Sequence, residues 1–254
     1  MTNSQPSTRT VFNFKDESAY IQYEQSGIAK EGVRWMPLSY SSYRNEGTFF
    51  LRLASDSKSF KHDHLRGEEF LVLEGKIRDQ VGREYSRGDF VALTPATPLI
   101  SNCEDGATLL CVIRAKKDAP AKSATLSNPS IFCQNAHNFE SYVQFLAYGA
   151  PYPNVTWLPL TMDGTGAGSY FASYQPPARS MPHEHQGYEE FLIFEGSFRD
   201  FDGTKFDEGD FIVYPPGTRH SSYASESTLL FVSMGSPNKR LGPEEAKPFE
   251  SPTS

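Results

Sequence analysis

Residues 183–196 read His-Glu-His-Gln-Gly-Tyr-Glu-Glu-Phe-Leu-Ile-Phe-Glu-Gly, and 121 positions earlier residues 62–75 read His-Asp-His-Leu-Arg-Gly-Glu-Glu-Phe-Leu-Val-Leu-Glu-Gly. The register continues without a gap: Arg78-Asp79 lies over Arg199-Asp200, Gly82 over Gly203, and Gly88-Asp89-Phe90 over Gly209-Asp210-Phe211. Farther out it drifts by one, as loops of unequal length allow. Trp35-Met36-Pro37-Leu38 meets Trp157-Leu158-Pro159-Leu160, and Thr108-Leu109-Leu110 meets Thr228-Leu229-Leu230. The match is too long for coincidence and marks a tandem duplication, so one fold is built twice.

Each copy reads as β structure. Phe70-Leu71-Val72-Leu73 and Phe191-Leu192-Ile193-Phe194 are short runs of aromatic and branched residues closed by Glu-Gly. Val81-Gly82 and Asp202-Gly203 are turn signals, and Pro215-Pro216-Gly217 must end the strand that Phe211-Ile212-Val213-Tyr214 begins. Many short strands with turn chemistry between them predict an all-β chain of sandwich or barrel type. A helix is expected only around residues 139–145, where no Gly or Pro intervenes. Residues 119–129 read as a linker and residues 235–254 as a flexible tail. The expected division is therefore an N-terminal barrel over 1–122 and a C-terminal barrel over 123–254.

The 254 residues suffice for two domains, each with its own core. A net charge of −7 lacks the basic field that phosphate backbones and anionic lipid surfaces require, so neither nucleic acid nor a membrane is an expected partner. Apolar runs are all far shorter than the roughly 18 residues of a spanning helix, and no signal peptide is seen. Cys103, Cys111 and Cys133 cannot all pair and form no CxxC, which fits a reducing, cytoplasmic setting.

All histidines but His137 fall at repeat or motif positions: His62, His64, His183, His185 and His220. Residues i and i+2 of a strand face one side, so His183 and His185 converge. Glu189 can return to the same point on the next strand, and His220 follows the turn at Pro215-Pro216-Gly217. Three imidazoles and a carboxylate suit Fe, Mn, Ni, Cu or Zn. A bare HxH could equally be two exposed polar residues on a strand; Glu189 and His220 at these spacings turn the reading toward a metal site. Other repeated residues have plainer readings. Arg78-Asp79 and Arg199-Asp200 fit local hydrogen bonding before a hairpin turn, Trp35 and Trp157 fit core, Cys111 a buried thiol and His137 the surface.

These residues resemble the cupin superfamily. Its two motifs appear as His183-x-His185-xxx-Glu189 running to Gly196, and as Gly209 running to Pro215-x-Gly217-xx-His220. The glycine usual six residues before the first His is Pro177 here. The stretch from Gly187 to Asp200 is similar to the branch that holds the cupin domain of ChrR-type anti-sigma factors and the acetylacetone-cleaving dioxygenases. The resemblance spans both repeats and implies a bicupin of two jelly-roll barrels. It does not imply anti-sigma function, because no counterpart of the zinc-binding helical domain is found in the sequence.

In the first copy His62, His64 and Glu68 keep their places, but the position of His220 is Leu99. The three could form a two-His, one-carboxylate second site with extra open positions, or the site has decayed and its residues are polar filler. The resemblance implies one divalent metal per active barrel, Fe(II) before Zn, Mn or Ni, and a small-molecule substrate. The expected function is a non-haem Fe(II) dioxygenase that cleaves a small dicarbonyl or hydroxyketone. The alternatives are a metal-dependent isomerase or lyase and a ChrR-like sensor without catalysis. The sequence names no catalytic residue beyond the ligands, and leaves a homodimer open.

Overall fold

The computed structural model describes residues 9–25, 27–44, 46–58, 68–79, 81–93, 102–114, 131–147 and 149–249. The expected linker, His62, His64 and Leu99 lie outside these residues. Regular structure is nearly all strand, in two compact units: residues 9–15 with 139–249, and residues 16–138. Both are jelly-roll barrels of antiparallel strands, as the duplication predicts.

In the second barrel the main sheet runs Thr10–Asn13, Asp210–Tyr214, Glu189–Glu195, Thr228–Met234, Gly168–Tyr174, Ala150–Pro159 and Val143–Ala147. A smaller sheet, Ala178–Arg179, Ser222–Ala224, Ser197–Asp200 and Lys205–Asp207, completes the wall. The first barrel repeats the order as Ile131–Asn135, Asp89–Leu93, Glu68–Arg78, Ala107–Ile113, Gly47–Leu53, Ile28–Pro37 and Ile21–Gln25. The apolar run 191–194 is buried on both faces, which is why it reads as continuous rather than alternating. Phe191 and Ile193 pack with Ile212, Tyr214, Leu230 and Val232, while Phe194 and Phe231 pack on Phe171. Each such side chain contributes about 1.5–3 kcal/mol by leaving water. The glycine that closes the run is obligatory. Gly196 has φ +78°, and a Cβ there would lie 2.3 Å from the Ser227 carbonyl oxygen. Gly75 meets the Gly106 carbonyl in the same way.

Three expectations need correction. A division at residue 122 would give Thr10–Asn13 to the first barrel and Ile131–Asn135 to the second. The registers reverse this, pairing Thr10–Asn13 with Asp210–Tyr214 and Ile131–Asn135 with Asp89–Leu93. The opening strand of each repeat is thus exchanged into the sheet of the other. An asparagine fixes both: Asn13 Nδ2 donates to Asp210 Oδ1, and Asn135 Nδ2 to Asp89 Oδ1, each at 2.8 Å.

The helix expected over 139–145 is a single 3-10 turn, Phe139–Ser141, followed by the strand Val143–Ala147. Val143, Gln144, Leu146 and Ala147 pair with Ala150–Pro159 instead, with Phe145 at a register shift, and branched and aromatic residues fit this pleated surface better than a helix.

The segment after residue 235 is tied down as far as Phe249. Lys239–Arg240 adds to the free edge of His183–Glu184. Leu241 and Ala246 are buried, and the ring of Phe249 packs edge-on against Phe201 at 4.7 Å.

Candidate metal centre

The second barrel brings His183, His185, Glu189 and His220 to one point. His183 pairs directly opposite His220 across two short strands. The spacing of the second motif follows from the turn before His220. His185 N donates to the Thr218 carbonyl at 3.0 Å and Gly217 N to the His185 carbonyl at 2.8 Å, which clamps the turn against the first two histidines. Glu189 opens the long strand Glu189–Glu195, between Tyr214 and Met234.

Each imidazole has an acceptor beside Nδ1. His183 Nδ1 lies 2.6 Å from the Met181 carbonyl oxygen. His185 Nδ1 lies 2.7 Å from Thr218 Oγ1, whose own proton goes to the Pro215 carbonyl at 2.6 Å. His220 Nδ1 faces Asp200 Oδ1 at 3.4 Å. With Nδ1 protonated, every Nε2 lone pair is free and aimed inward, the tautomer a metal needs.

The Nε2 of His183 is 3.1 Å from that of His185 and from that of His220. Glu189 Oε2 lies 3.2, 2.9 and 3.3 Å from the Nε2 atoms of His183, His185 and His220. Ligand atoms about 2.0–2.2 Å from a shared ion stand about 3 Å apart when they subtend a right angle, so the spacing fits a first-row metal. Three neutral imidazoles and one carboxylate offset half of a 2+ charge.

The electrostatics agree. Burial alone would raise the Glu189 carboxyl, but His183 and the other two imidazoles hold it well below the usual carboxylate range. Burial also lowers His185, against the pull of Glu189. His220 is buried too, yet Asp200 and Glu189 on either side push it up to about 9. Glu189 is therefore held as the carboxylate, the form in which it could bind a cation.

His185 and His220 are buried, whereas the His183 side chain keeps 12% of its surface, open to a cavity of about 400 Å³. The cavity is aromatic and apolar, with Trp157, Tyr170, Tyr174, Phe191 and Phe198 in its wall, and Asn238 with Pro237 at one side. Among the described residues that line it, Glu189 is the only acid, and there is no lysine, arginine or cysteine.

Sequence reasoning expects His183, His185, Glu189 and His220 at one point, where the structure also has them, and misses the groups around them. Arg199-Asp200 reads as a turn pair like Arg78-Asp79. For Asp79 that suffices, since it accepts from Val81 N, Arg83 N and the Tyr85 hydroxyl. Asp200 has a further role behind His220. Asn238 Nδ2 donates to Glu189 Oε1 at 3.0 Å from a segment expected to be a loose tail. The Thr in Pro215-Pro216-Gly217-Thr218 was the one available signal, an oxygen beside the HxH strand. In the first barrel, Glu68 is buried at the start of its strand. Its partners in sequence, His62 and His64, are outside the described residues. Cys111 is buried, and His137 is exposed.

Among the described residues no helix is long and apolar enough to cross a membrane. No curated protein matches the chain in sequence. Solved structures of the same fold are numerous. One from Nostoc punctiforme, described as a candidate dioxygenase, is 14% identical with a TM-score of 0.68, covering 92% of this chain and 84% of that one. Salicylate 1,2-dioxygenase from Pseudoaminobacter salicylatoxidans, in complex with gentisate, is 14% identical with a TM-score of 0.59, covering 89% and 81%. Streptomyces albus HEPD, with 2-hydroxyethylphosphonate and Fe(II) bound, is 13% identical with a TM-score of 0.56, covering 92% and 78%. At such identities the likeness shows the fold alone. The profile of the ChrR cupin-like domain matches residues 17–114 and 142–238, once in each repeat and over most of the chain, so this protein belongs to the ChrR cupin-like family.

Proposed function

We propose that the protein is a metal-dependent dioxygenase that cleaves a carbon–carbon bond in a small, uncharged, enolisable dicarbonyl or hydroxyketone. The observation that carries the reading is the convergence of His183, His185, Glu189 and His220 beside an aromatic cavity with no other acid, lysine or arginine among the described residues that line it. Those four side chains would hold Fe(II), with Zn, Mn or Ni as competitors. A metal held there would supply Lewis-acid and redox chemistry toward an enolisable substrate and dioxygen. The first barrel, through His62, His64 and Glu68, is at most a weaker second site.

The remaining work falls to the chain itself. The aromatic wall takes up the carbon skeleton and excludes water. The Met181 carbonyl, Thr218 and Asp200 keep the three imidazoles in one tautomer, and Asn238 orients the Glu189 carboxylate. A β-diketone and dioxygen would give a carboxylic acid and an α-ketoaldehyde: one carbon–carbon bond breaks, and both oxygen atoms enter the products.

Among the described residues that line the cavity there is no lysine or arginine, which disfavours substrates that carry a free carboxylate. The isomerase or lyase reading needs a base that stands off the metal. Glu189 is engaged with three imidazoles, and burial raises the Tyr170 and Tyr174 hydroxyls, so neither tyrosine serves. The test is metal analysis of protein purified without added metal, followed by oxygen uptake with a panel of β-diketones and hydroxyketones. Iron with substrate-dependent uptake is expected. Zinc or nickel with substrate conversion but no uptake would move the assignment to an isomerase or lyase, and metal without turnover to a sensor.

A further inference from the structure

Arg9 stands one residue before the exchanged strand Thr10–Asn13, and its side chain is only 12% exposed. Nη1 donates to Asp200 Oδ2 at 3.0 Å and to Asp202 Oδ2 at 2.8 Å. Nη2 donates to Thr204 Oγ1, and the guanidinium lies 5.3 Å from the ring centroid of Phe206. The Asp200 carboxylate it holds is fully buried. Its Oδ2 also accepts from the Tyr214 hydroxyl at 2.6 Å. The other oxygen accepts from Phe201 N at 3.0 Å and Ser222 Oγ at 3.3 Å, and faces His220 Nδ1 at 3.4 Å.

The first barrel supplies an internal control. Asn13 opposite Asp210 and Asn135 opposite Asp89 align the two exchanged strands. That register puts Ile131 in the place of Arg9, and Leu93, which it faces, in the place of Tyr214. Ile131 packs on the apolar core. The sequence position of His220 is Leu99. Asp79 persists, but its carboxylate closes its own turn. The arginine, the tyrosine and the histidine are therefore all present in one barrel and all replaced by aliphatic residues in the other. Asp79, kept for its turn, takes a phenol hydroxyl from Tyr85 of its own hairpin; a turn carboxylate would need neither the arginine nor the histidine.

We propose that Arg9 is a positioning residue for His220: it fixes the Asp200 carboxylate, which holds the imidazole with Nε2 toward the metal. The opening strand of the first repeat thereby completes the metal centre of the second barrel. The inference rests on the metal-centre reading above.

The test compares wild type, Arg9→Gln, Arg9→Lys, Asp200→Asn and the double variant Arg9→Gln/Asp200→Asn. Co(II) affinity is measured by chelator competition, and the d–d absorption of the bound Co(II) is recorded. Val11→Ala, on the same strand and 45% exposed, is the control for strand docking. Outer partners of metal-bound histidines are worth 10–100-fold in affinity, so Arg9→Gln should bind Co(II) about tenfold more weakly, with a shifted absorption. Arg9→Lys should recover part of the loss, and Val11→Ala none of it should show. Because Arg9 acts through Asp200, the double variant should bind no more weakly than Asp200→Asn alone. Unchanged affinity and spectrum in Arg9→Gln would overturn the inference, as would a full extra tenfold loss in the double variant, which would mark a merely structural role. Should Arg9→Gln fail to fold, the affinity and absorption of Arg9→Lys decide: both identical to wild type would overturn it. Absence of Co(II) binding in the wild type would overturn this inference together with the metal-centre reading, whereas normal wild-type binding with unaffected variants overturns this inference alone.

Discussion

The two barrels share a topology, a glycine-closed central strand and a buried glutamate at its start, yet they carry different interiors. In the second barrel Glu189 meets three imidazoles beside a 400 Å³ cavity. A tryptophan-centred ring cluster is common to both: Trp35 meets Tyr23, Tyr40 and Phe49 at 5.4–5.7 Å, and Trp157 meets Phe145 and Tyr170 at 5.6 Å, all edge to face. Three hydroxyls of the second barrel are also missing from the first: Tyr214 becomes Leu93, Tyr170 becomes Phe49 and Tyr174 becomes Leu53. The glycines, turns and strand pairs persist in both copies, while Arg9, Tyr214 and His220 have aliphatic counterparts in the first.

The contrast can be broken most sharply at the ligands. His183→Ala or His220→Ala should remove most of the bound metal, whereas His62→Ala should remove at most half, as read by elemental analysis of the purified variants. Metal that survives loss of His183 and disappears with His62 would invert the comparison. Glu189→Gln comes next. As a ligand it should weaken metal binding and alter the Co(II) spectrum; full occupancy with abolished turnover would instead make Glu189 a base and revive the isomerase reading.

A matched pair sharpens the comparison further out. Asp200→Asn should weaken metal binding by about 10–100-fold. Asp79→Asn should leave binding untouched and cost only about 1–2 kcal/mol of stability, through the hydrogen bonds of its turn. Chelator competition and thermal unfolding separate the two. Equal effects on metal would show that the repeated aspartates do the same job. The smallest change is expected from Leu99→His. It restores the fourth ligand type in the first copy, but Leu93 and Ile131 leave that histidine without the support His220 has. A second metal equivalent should appear only at high metal concentration; a tight second equivalent would mean that the ligands alone decide.

Much of this was legible in the sequence, for physical reasons that also mark where legibility ends. The duplication, the strands and the convergence of the three histidines with Glu189 were readable because each rests on local pattern: an apolar run closed by Gly196, HxH at one strand, and a Pro-x-Gly turn before His220. Strand exchange was not readable in this way. Which sheet accepts Thr10–Asn13 is decided by long-range pairing, and the strand's own residues suit either edge. Asn13 and Asn135 were the available hint, being the same residue at the same place before each repeat. Val143–Ala147 misled because the absence of Gly and Pro permits a helix without favouring one. Asp200 was hidden by its own repetition. Arg-Asp stands in both copies, and only Arg9, Tyr214 and His220, brought from three distant parts of the chain, make one of them different.

The central claim is that the second barrel is a metal centre, and anomalous diffraction from crystals of the protein as purified tests it most directly. The account predicts one dominant peak about 2.0–2.2 Å from the Nε2 atoms of His183, His185 and His220 and from Glu189 Oε2. Its absorption edge should be that of iron. A dominant peak elsewhere, or none at these four atoms in protein that retains full activity, would contradict it.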